Sequence, residues 1–173
     1  MKSKKLIVFV CRGNIVRSVV AEVLVKRILL LKNLNKEYEV TSRSIQGTTV
    51  DPEPVKHPNI TYYKDLYQEV KPALDMYGID LSNHISIPID QKVAVDAAII
   101  IAMDKINKNS LLKLFPNQKN KIYSFLELIN KDEEVIDPEK THGVEKQKQI
   151  ITTINNTIIQ GFAKLICLLS KQR

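Results

Sequence analysis

The feature that most limits what this chain can fold into is an uninterrupted apolar run, KLIVFV at residues 5–10, that stops at a cysteine. The run is rich in β-branched and aromatic residues and shows no polar–apolar alternation. It therefore reads as a strand covered on both faces, the kind found in parallel sheets. DAAIIIAM at 96–103 repeats the pattern, and YEVTSRS at 38–44 and KIYSFL at 121–126 complete four predicted strands. Helical segments alternate with them. Residues 18–32 begin at a serine, carry Glu22 early and end among Lys26, Arg27 and Lys32. Residues 62–77 run up to Gly78, with Pro72 expected to kink the segment or start a new one. DKINKNSLLKLF ends at Pro116. A last helix carries Ile150, Ile151, Ile154, Ile158, Phe162, Leu165, Ile166 and Leu169 as an apolar stripe at three-four spacing. The expected fold is α/β: a single domain, residues 1–173, with a four-stranded parallel sheet flanked by helices on both faces. GTTVDPEPVKHPNI, with three prolines in seven residues, is expected to lie in an extended loop at about 47–61.

Bulk properties exclude several classes. No run of eighteen uncharged apolar residues is present, so no membrane-spanning helix is expected. The basic N-terminus is followed by too short an apolar stretch, and no cleavage site, for a secretion signal; a cytoplasmic protein is expected. Cys11 and Cys167, at opposite ends of the chain, make no disulfide framework. The net charge of +7 is spread along the chain and aromatic residues are only 6%, so no nucleic-acid partner is expected. His57, His84 and His142 are too scattered for a metal cluster, and neither metal nor other cofactor is expected.

CRGNIVR lies between the first buried strand and the first helix, where the N–H groups of a helix start lack partners and attract anions. In parallel sheets this is also where ligands bind. Gly13 allows a tight turn and Asn14 tolerates a left-handed one. The five residues between Cys11 and Arg17 are enough to wrap one tetrahedral anion, with the sulfur beneath it and the guanidinium clasping two oxygens. Arg17 and the helix terminus stabilise a thiolate. Ser18 is placed either to hydrogen-bond that sulfur or to cap the helix. Cys167, within the apolar stripe and without a basic neighbour, reads as core filling.

At these positions the chain resembles the low-molecular-weight protein tyrosine phosphatases, whose signature is a strand, Cys-x-Gly-Asn-x-x-Arg-Ser, then a helix with an early Ala-Glu. Here these are Cys11, Gly13, Asn14, Arg17, Ser18, Ala21 and Glu22. VTS ending at Ser42, GIDLSNHIS at 78–86, AMDKIN at 102–107 and Asp137-Pro138 follow in the family's order. The resemblance implies a flavodoxin-like sheet of the phosphotyrosine protein phosphatase I type. It implies Cys11 as nucleophile and carrier of a phosphocysteine. Arg17 and the backbone of Arg12, Gly13, Asn14, Ile15, Val16 and Ser18 are implied to cradle a phosphate or similar oxyanion. Asp137 is implied as general acid, with Ser42 and His84 supporting the loop. The implied substrate is a phosphorylated protein.

The chain departs from the family pattern at several places. Val19 replaces a proline, and Val16 stands where many members have a second cysteine, which implies no disulfide protection of the nucleophile. Glu139, Lys140 and Thr141 occupy a place that is commonly aromatic; Tyr62 and Tyr63 are the available substitutes, although helix packing is the role their spacing favours. Ile15 replaces the threonine of phosphoarginine-specific members, which favours phosphotyrosine. Three other readings stay open. One is a phosphoprotein-binding module with weak turnover. The two less favoured are a phosphoarginine phosphatase and an arsenate reductase, the latter disfavoured by this chain's lack of a mid-chain cysteine pair.

Overall fold

Strand β1 (Lys5–Cys11) is the centre of the sheet. In the computed structural model, which describes residues 3–131 and 135–171, β1 pairs in parallel with β2 (Tyr38–Ser44) on one side and β3 (Ala97–Ala102) on the other. β4 (Ile122–Ser124) extends the sheet beyond β3, giving the order β2-β1-β3-β4 with every pair parallel. Ile7, Val8, Phe9 and Val10 are fully buried, as an unbroken apolar strand requires. Ile7, Phe9 and Cys11 point into one core, and Val8 and Val10 into another on the opposite face.

The larger core lies under α1 (Arg17–Leu31), α2 (Lys64–Met76) and α5 (Val144–Lys171). The smaller is closed by α3 (Gln91–Asp96) and α4 (Lys105–Leu114). The expected architecture is therefore present: four parallel strands with helices on both faces. Because β2 and β3 flank β1 on opposite sides, strand order reverses at the carboxyl end of β1, which opens a crevice beside Cys11.

One alternative left by the sequence is decided and three expectations need correction. Of the two outcomes open at Pro72, a new segment does not form, because Pro72 lies inside a continuous α2. The carbonyl four residues earlier, at Gln68, loses its donor, but both residues are exposed, so solvent is free to take the donor's place. The six residues of α3 form a helix capped by Asp90, whose side chain accepts from Val93 N; the sequence reading has no helix there. β4 is only three residues long, and Phe125–Ile129 turns into a 3-10 helix that docks on α5. Cys167 is exposed, since the α5 stripe buries Leu165 and Leu169 and turns residue 167 outward. The α5 contact is close enough that a Cβ on Gly161 would lie 2.7 Å from Leu128 Cβ.

Candidate active site

Residues 11–17 leave the end of β1 and enter α1 without a capping side chain: Val16 occupies the cap position and makes no side-chain cap bond. Ser18 is engaged elsewhere. Its Oγ lies 3.0 Å from Cys11 Sγ and accepts from Asn14 Nδ2 at 2.9 Å. Of the two roles open to Ser18 from sequence, the structure thus selects the one at the sulfur. The left-handed residue of the turn is Asn14, φ 52°, rather than Gly13. The fully buried Asn14 side chain also donates to Ser42 Oγ at 2.8 Å, and Ser42 in turn donates to Glu22 at 2.5 Å.

The loop carbonyls from Cys11 to Asn14 are all paired. Ile45 N donates to Cys11 O and Arg12 O, and Gln46 N donates to Arg12 O. Ser86 Oγ donates to Gly13 O at 2.7 Å, and His84 Nε2 to Asn14 O at 2.9 Å. Loss of solvent, reinforced by the charges of Arg43 and Lys26, lowers the His84 pKa below the usual histidine value. The neutral ring then carries its proton on Nε2, facing the Asn14 carbonyl. Asn14 N donates to Cys11 Sγ at 3.2 Å. Among the described residues, the N–H groups of Arg12, Gly13, Ile15, Val16 and Arg17 have no acceptor, and all five residues line the pocket over the sulfur. Unpaired amides gathered on one concave wall form an anion site.

Arg17 is 3% exposed. Its guanidinium donates to Asp104 Oδ2 at 2.7 Å, to Val135 O at 3.2 Å and to Asp137 Oδ2 at 2.5 Å. Burial alone would depress its pKa, but the negative charges of Cys11, Asp137 and Asp104 outweigh the lost solvent and raise it. Asp104 sits at the end of β3, next to β1 in the sheet. Its Oδ1 caps α4 through Asn107 N at 2.7 Å while its Oδ2 holds Arg17.

Asp137 begins the 3-10 turn Pro138–Lys140. Fully buried Gln147 donates to Pro138 O at 3.0 Å and to Thr141 O at 2.8 Å, which pins this turn to α5. On the opposite rim, Arg12 pairs with Asp51 at 2.9 Å. Gly47, φ 87°, bonds Asp51 O, and a Cβ there would lie 2.8 Å from Pro88. Leu66, Pro138 and Glu139 complete the wall, and the open volume above the sulfur is only about 20 Å³.

The structure therefore brings Cys11, Arg12, Gly13, Ile15, Val16, Arg17 and Asp137 around one pocket. Asn14, Ser18, Ser42 and His84 stand behind it. Sequence reasoning missed Asp104, Ser86, Gln46 and Gln147. Asp104 had a readable signal, an Asp-x-x-Asn cap at the end of a strand predicted to lie beside β1. Isolated Ser86, Gln46 and Gln147 carried none. Tyr63 packs against the core as its helical spacing suggests, whereas Tyr62 is 64% exposed and stacks on His57 with 5.2 Å between ring centroids.

Comparison with known proteins adds an independent line. A low molecular weight protein-tyrosine-phosphatase PtpA from Staphylococcus saprophyticus is 27% identical over 159 residues, covering 91% of this chain and 94% of that protein. Arsenate reductase 2 from Staphylococcus haemolyticus is 30% identical over 122 residues, covering 70% of this chain and 77% of that protein. The crystal structure of a low molecular weight protein tyrosine phosphatase from T. tengcongensis superposes with a TM-score of 0.71 at 25% identity, over 93% of this chain and 99% of that one. The profile of the low molecular weight phosphotyrosine protein phosphatases matches residues 6–169. With that match spanning nearly the whole chain and the sheet, loop and pocket arranged as above, the chain belongs to the low molecular weight phosphotyrosine protein phosphatase family.

Proposed function

We propose that this protein hydrolyses phosphomonoesters through a phosphocysteine at Cys11, and that its substrate is phosphotyrosine in a protein. The observation that carries the reading is the loop itself. The carbonyls from Cys11 to Asn14 are paired, five amides are left unpaired, and a sulfur held by Asn14 N and Ser18 Oγ lies beneath them. Such a loop is complementary to three phosphoryl oxygens, with the sulfur below the phosphorus.

In the first step the sulfur attacks phosphorus in line, the bond from phosphorus to the ester oxygen breaks, and Asp137 gives that oxygen a proton. In the second, Asp137 takes a proton from water, which attacks phosphorus and releases Cys11 and phosphate. Arg17 exchanges Asp137 for phosphoryl oxygens on substrate entry, because in the closed pocket the carboxylate occupies the guanidinium edge those oxygens need. Asp104 keeps the other edge aligned. The ring of the substrate lies between the apolar surfaces of Leu66 and Pro138. Buried Ile15 offers the wall a hydrocarbon and no hydroxyl, which fits an aromatic leaving group. The site of action is the cytoplasm, where both free thiols remain reduced.

The arsenate reductase relative motivates a second reading, in which another thiol resolves an adduct on Cys11. The geometry opposes it. Lys5, at the start of β1, donates to Leu169 O, so the end of α5 lies near the amino end of a strand whose carboxyl end bears Cys11. Six residues of strand separate the two by about 20 Å.

Hydrolysis of p-nitrophenyl phosphate by the wild type, Cys11→Ser and Asp137→Asn tests the proposal. We expect Cys11→Ser to lose at least ~1000-fold in kcat and Asp137→Asn about 100-fold. Unchanged turnover in Cys11→Ser overturns the mechanism. A wild type that binds phosphate without turnover indicates a binding module instead.

A further inference from the structure

A groove of about 520 Å³ continues from the phosphate pocket, sharing Leu66, Pro138 and Glu139 with it and passing Tyr62, Tyr63 and His142. Two properties give it a chemical preference. Tyr62 presents an exposed ring whose orientation is set by stacking on His57, and His57 in turn meets Tyr63 edge-on. Glu139 is exposed at the mouth of the groove, and its carboxylate accepts no hydrogen bond and forms no ion pair among the described residues. Its backbone belongs to the turn that Gln147 pins, which fixes the point from which the carboxylate projects at the groove. Desolvation and the neighbouring Asp137 charge raise its pKa and outweigh the opposing charges of Arg12 and Arg17, which are paired with other carboxylates. Lys64 and Asp65 also face the groove but are both exposed and offset one another; Glu69 lies behind His142, 3.9 Å from its Nδ1.

We propose that this groove is the subsite for the residue adjacent to the phosphorylated one, and that Glu139 and Tyr62 together select a lysine or arginine side chain there. The proposal rests on the phosphatase reading and deepens it by naming a substrate class: phosphotyrosine flanked by a basic residue. With the phosphotyrosine ring between Leu66 and Pro138, which line both the pocket and the groove, the next residue of an extended chain enters the groove. A cation in the groove gains the free Glu139 carboxylate and the Tyr62 ring face at once. An acidic neighbour meets the negative charge of Glu139.

Three phosphotyrosine peptides, identical except for Arg, Ala or Glu beside the phosphotyrosine, provide the test. The readout is the ratio of kcat/KM values within each enzyme, which cancels any change common to all substrates. Wild type is expected to prefer Arg over Ala by about fivefold and to disfavour Glu by a similar factor, the size of one exposed ion pair with a cation–π contact. Glu139→Gln is expected to bring the Glu ratio near one and to leave only the roughly twofold Arg preference that Tyr62 supplies, and Tyr62→Ala to lower the wild-type Arg preference about twofold. Equal wild-type ratios overturn the subsite while leaving the phosphatase reading intact, and so does an Arg preference that survives Glu139→Gln undiminished. Binding of the same peptides to Cys11→Ser separates the two claims. If no peptide is turned over but the Arg peptide binds more tightly than the Ala peptide, the subsite stands and the hydrolase reading fails. A wild type that hydrolyses free phosphoarginine but none of the peptides overturns the subsite as stated, since Glu139 then serves the phosphorylated guanidinium itself.

Discussion

The floor and the rim of the pocket are built on different principles. On the floor, residues 11–18 are held by partners from three other segments: Ser42 on β2, Ile45 and Gln46 after it, and His84 and Ser86 in the connection to α3. Several of these side chains are wholly or nearly buried, and their bonds make each position depend on the others. The rim consists of two short turns. One is clipped by Gly47 against Pro88 and by Asp51 against Arg12; the other hangs from Gln147. The contrast separates the anion cradle from selection, with Asp137 the one rim residue proposed for chemistry. A transition state tolerates little misplacement, so its cradle is over-determined, whereas the rim residues that only choose among substrates can be replaced by others.

If the floor is a cooperative unit, its largest weak point is Asn14. Asn14→Ala forces a left-handed conformation on alanine and removes the donor to Ser18 and Ser42. We expect a loss of about 2–4 kcal/mol in denaturant unfolding and about 100-fold in kcat/KM for aryl phosphate. A loss confined to stability, with kcat/KM unchanged, would contradict the coupling of loop shape to catalysis.

Gln147 probes the hinge between the two regions, because it touches the rim turn that carries Asp137 without reaching the pocket. Gln147→Leu leaves the Pro138 and Thr141 carbonyls without their donor, at a cost of about 1–3 kcal/mol. As a positioning residue for the acid, it is expected to lower kcat about tenfold for phenyl phosphate. The drop for p-nitrophenyl phosphate should be smaller, because that leaving group needs little protonation. Equal drops on both substrates would show that the turn does not position the acid.

Gly47→Ala strains a rim residue at φ 87° and crowds Pro88, and is expected to cost about 1–2 kcal/mol. Its effect on kcat for a small aryl phosphate should stay within about threefold, because the strain falls on a segment that only selects. A larger fall would place the 47–51 turn with the floor.

The smallest effect concerns His84. Its folded pKa is lowered, so between that value and the ordinary histidine value near ~6.5 the unfolded chain binds a proton that the folded chain refuses. Stability therefore rises with pH across that window and falls on acidification. Thermal melts from pH 7 to pH 5 should show a shallower acid loss for His84→Gln than for wild type. A steeper loss in the variant would mean that His84 is protonated in the folded protein.

Much of the floor was legible before any coordinates. An unbroken apolar strand ending in Cys-x-Gly-Asn before a helix is a local pattern, and local patterns act through near neighbours along the chain. The rim was far less legible. Tyr62 and Tyr63 are adjacent, yet only Tyr63 packs on the core while Tyr62 stands in the open against His57. Helical spacing alone does not say where such a segment meets the rest of the molecule.

What the sequence determined by itself was the strand–loop–helix unit, the parallel sheet that its apolar strands demand, and the sulfur and arginine at either end of the loop. The tertiary structure decided the rest. Asp104 and Asp137, 87 and 120 residues from Arg17, share its guanidinium. Cys167 faces solvent, and Glu139 stands at the mouth of a groove with no ion pair among the described residues. Each of these depends on which surfaces meet across the fold. Burial and charge pairing are set there, by contacts between segments far apart in the chain, rather than by the spacing of residues within any one of them.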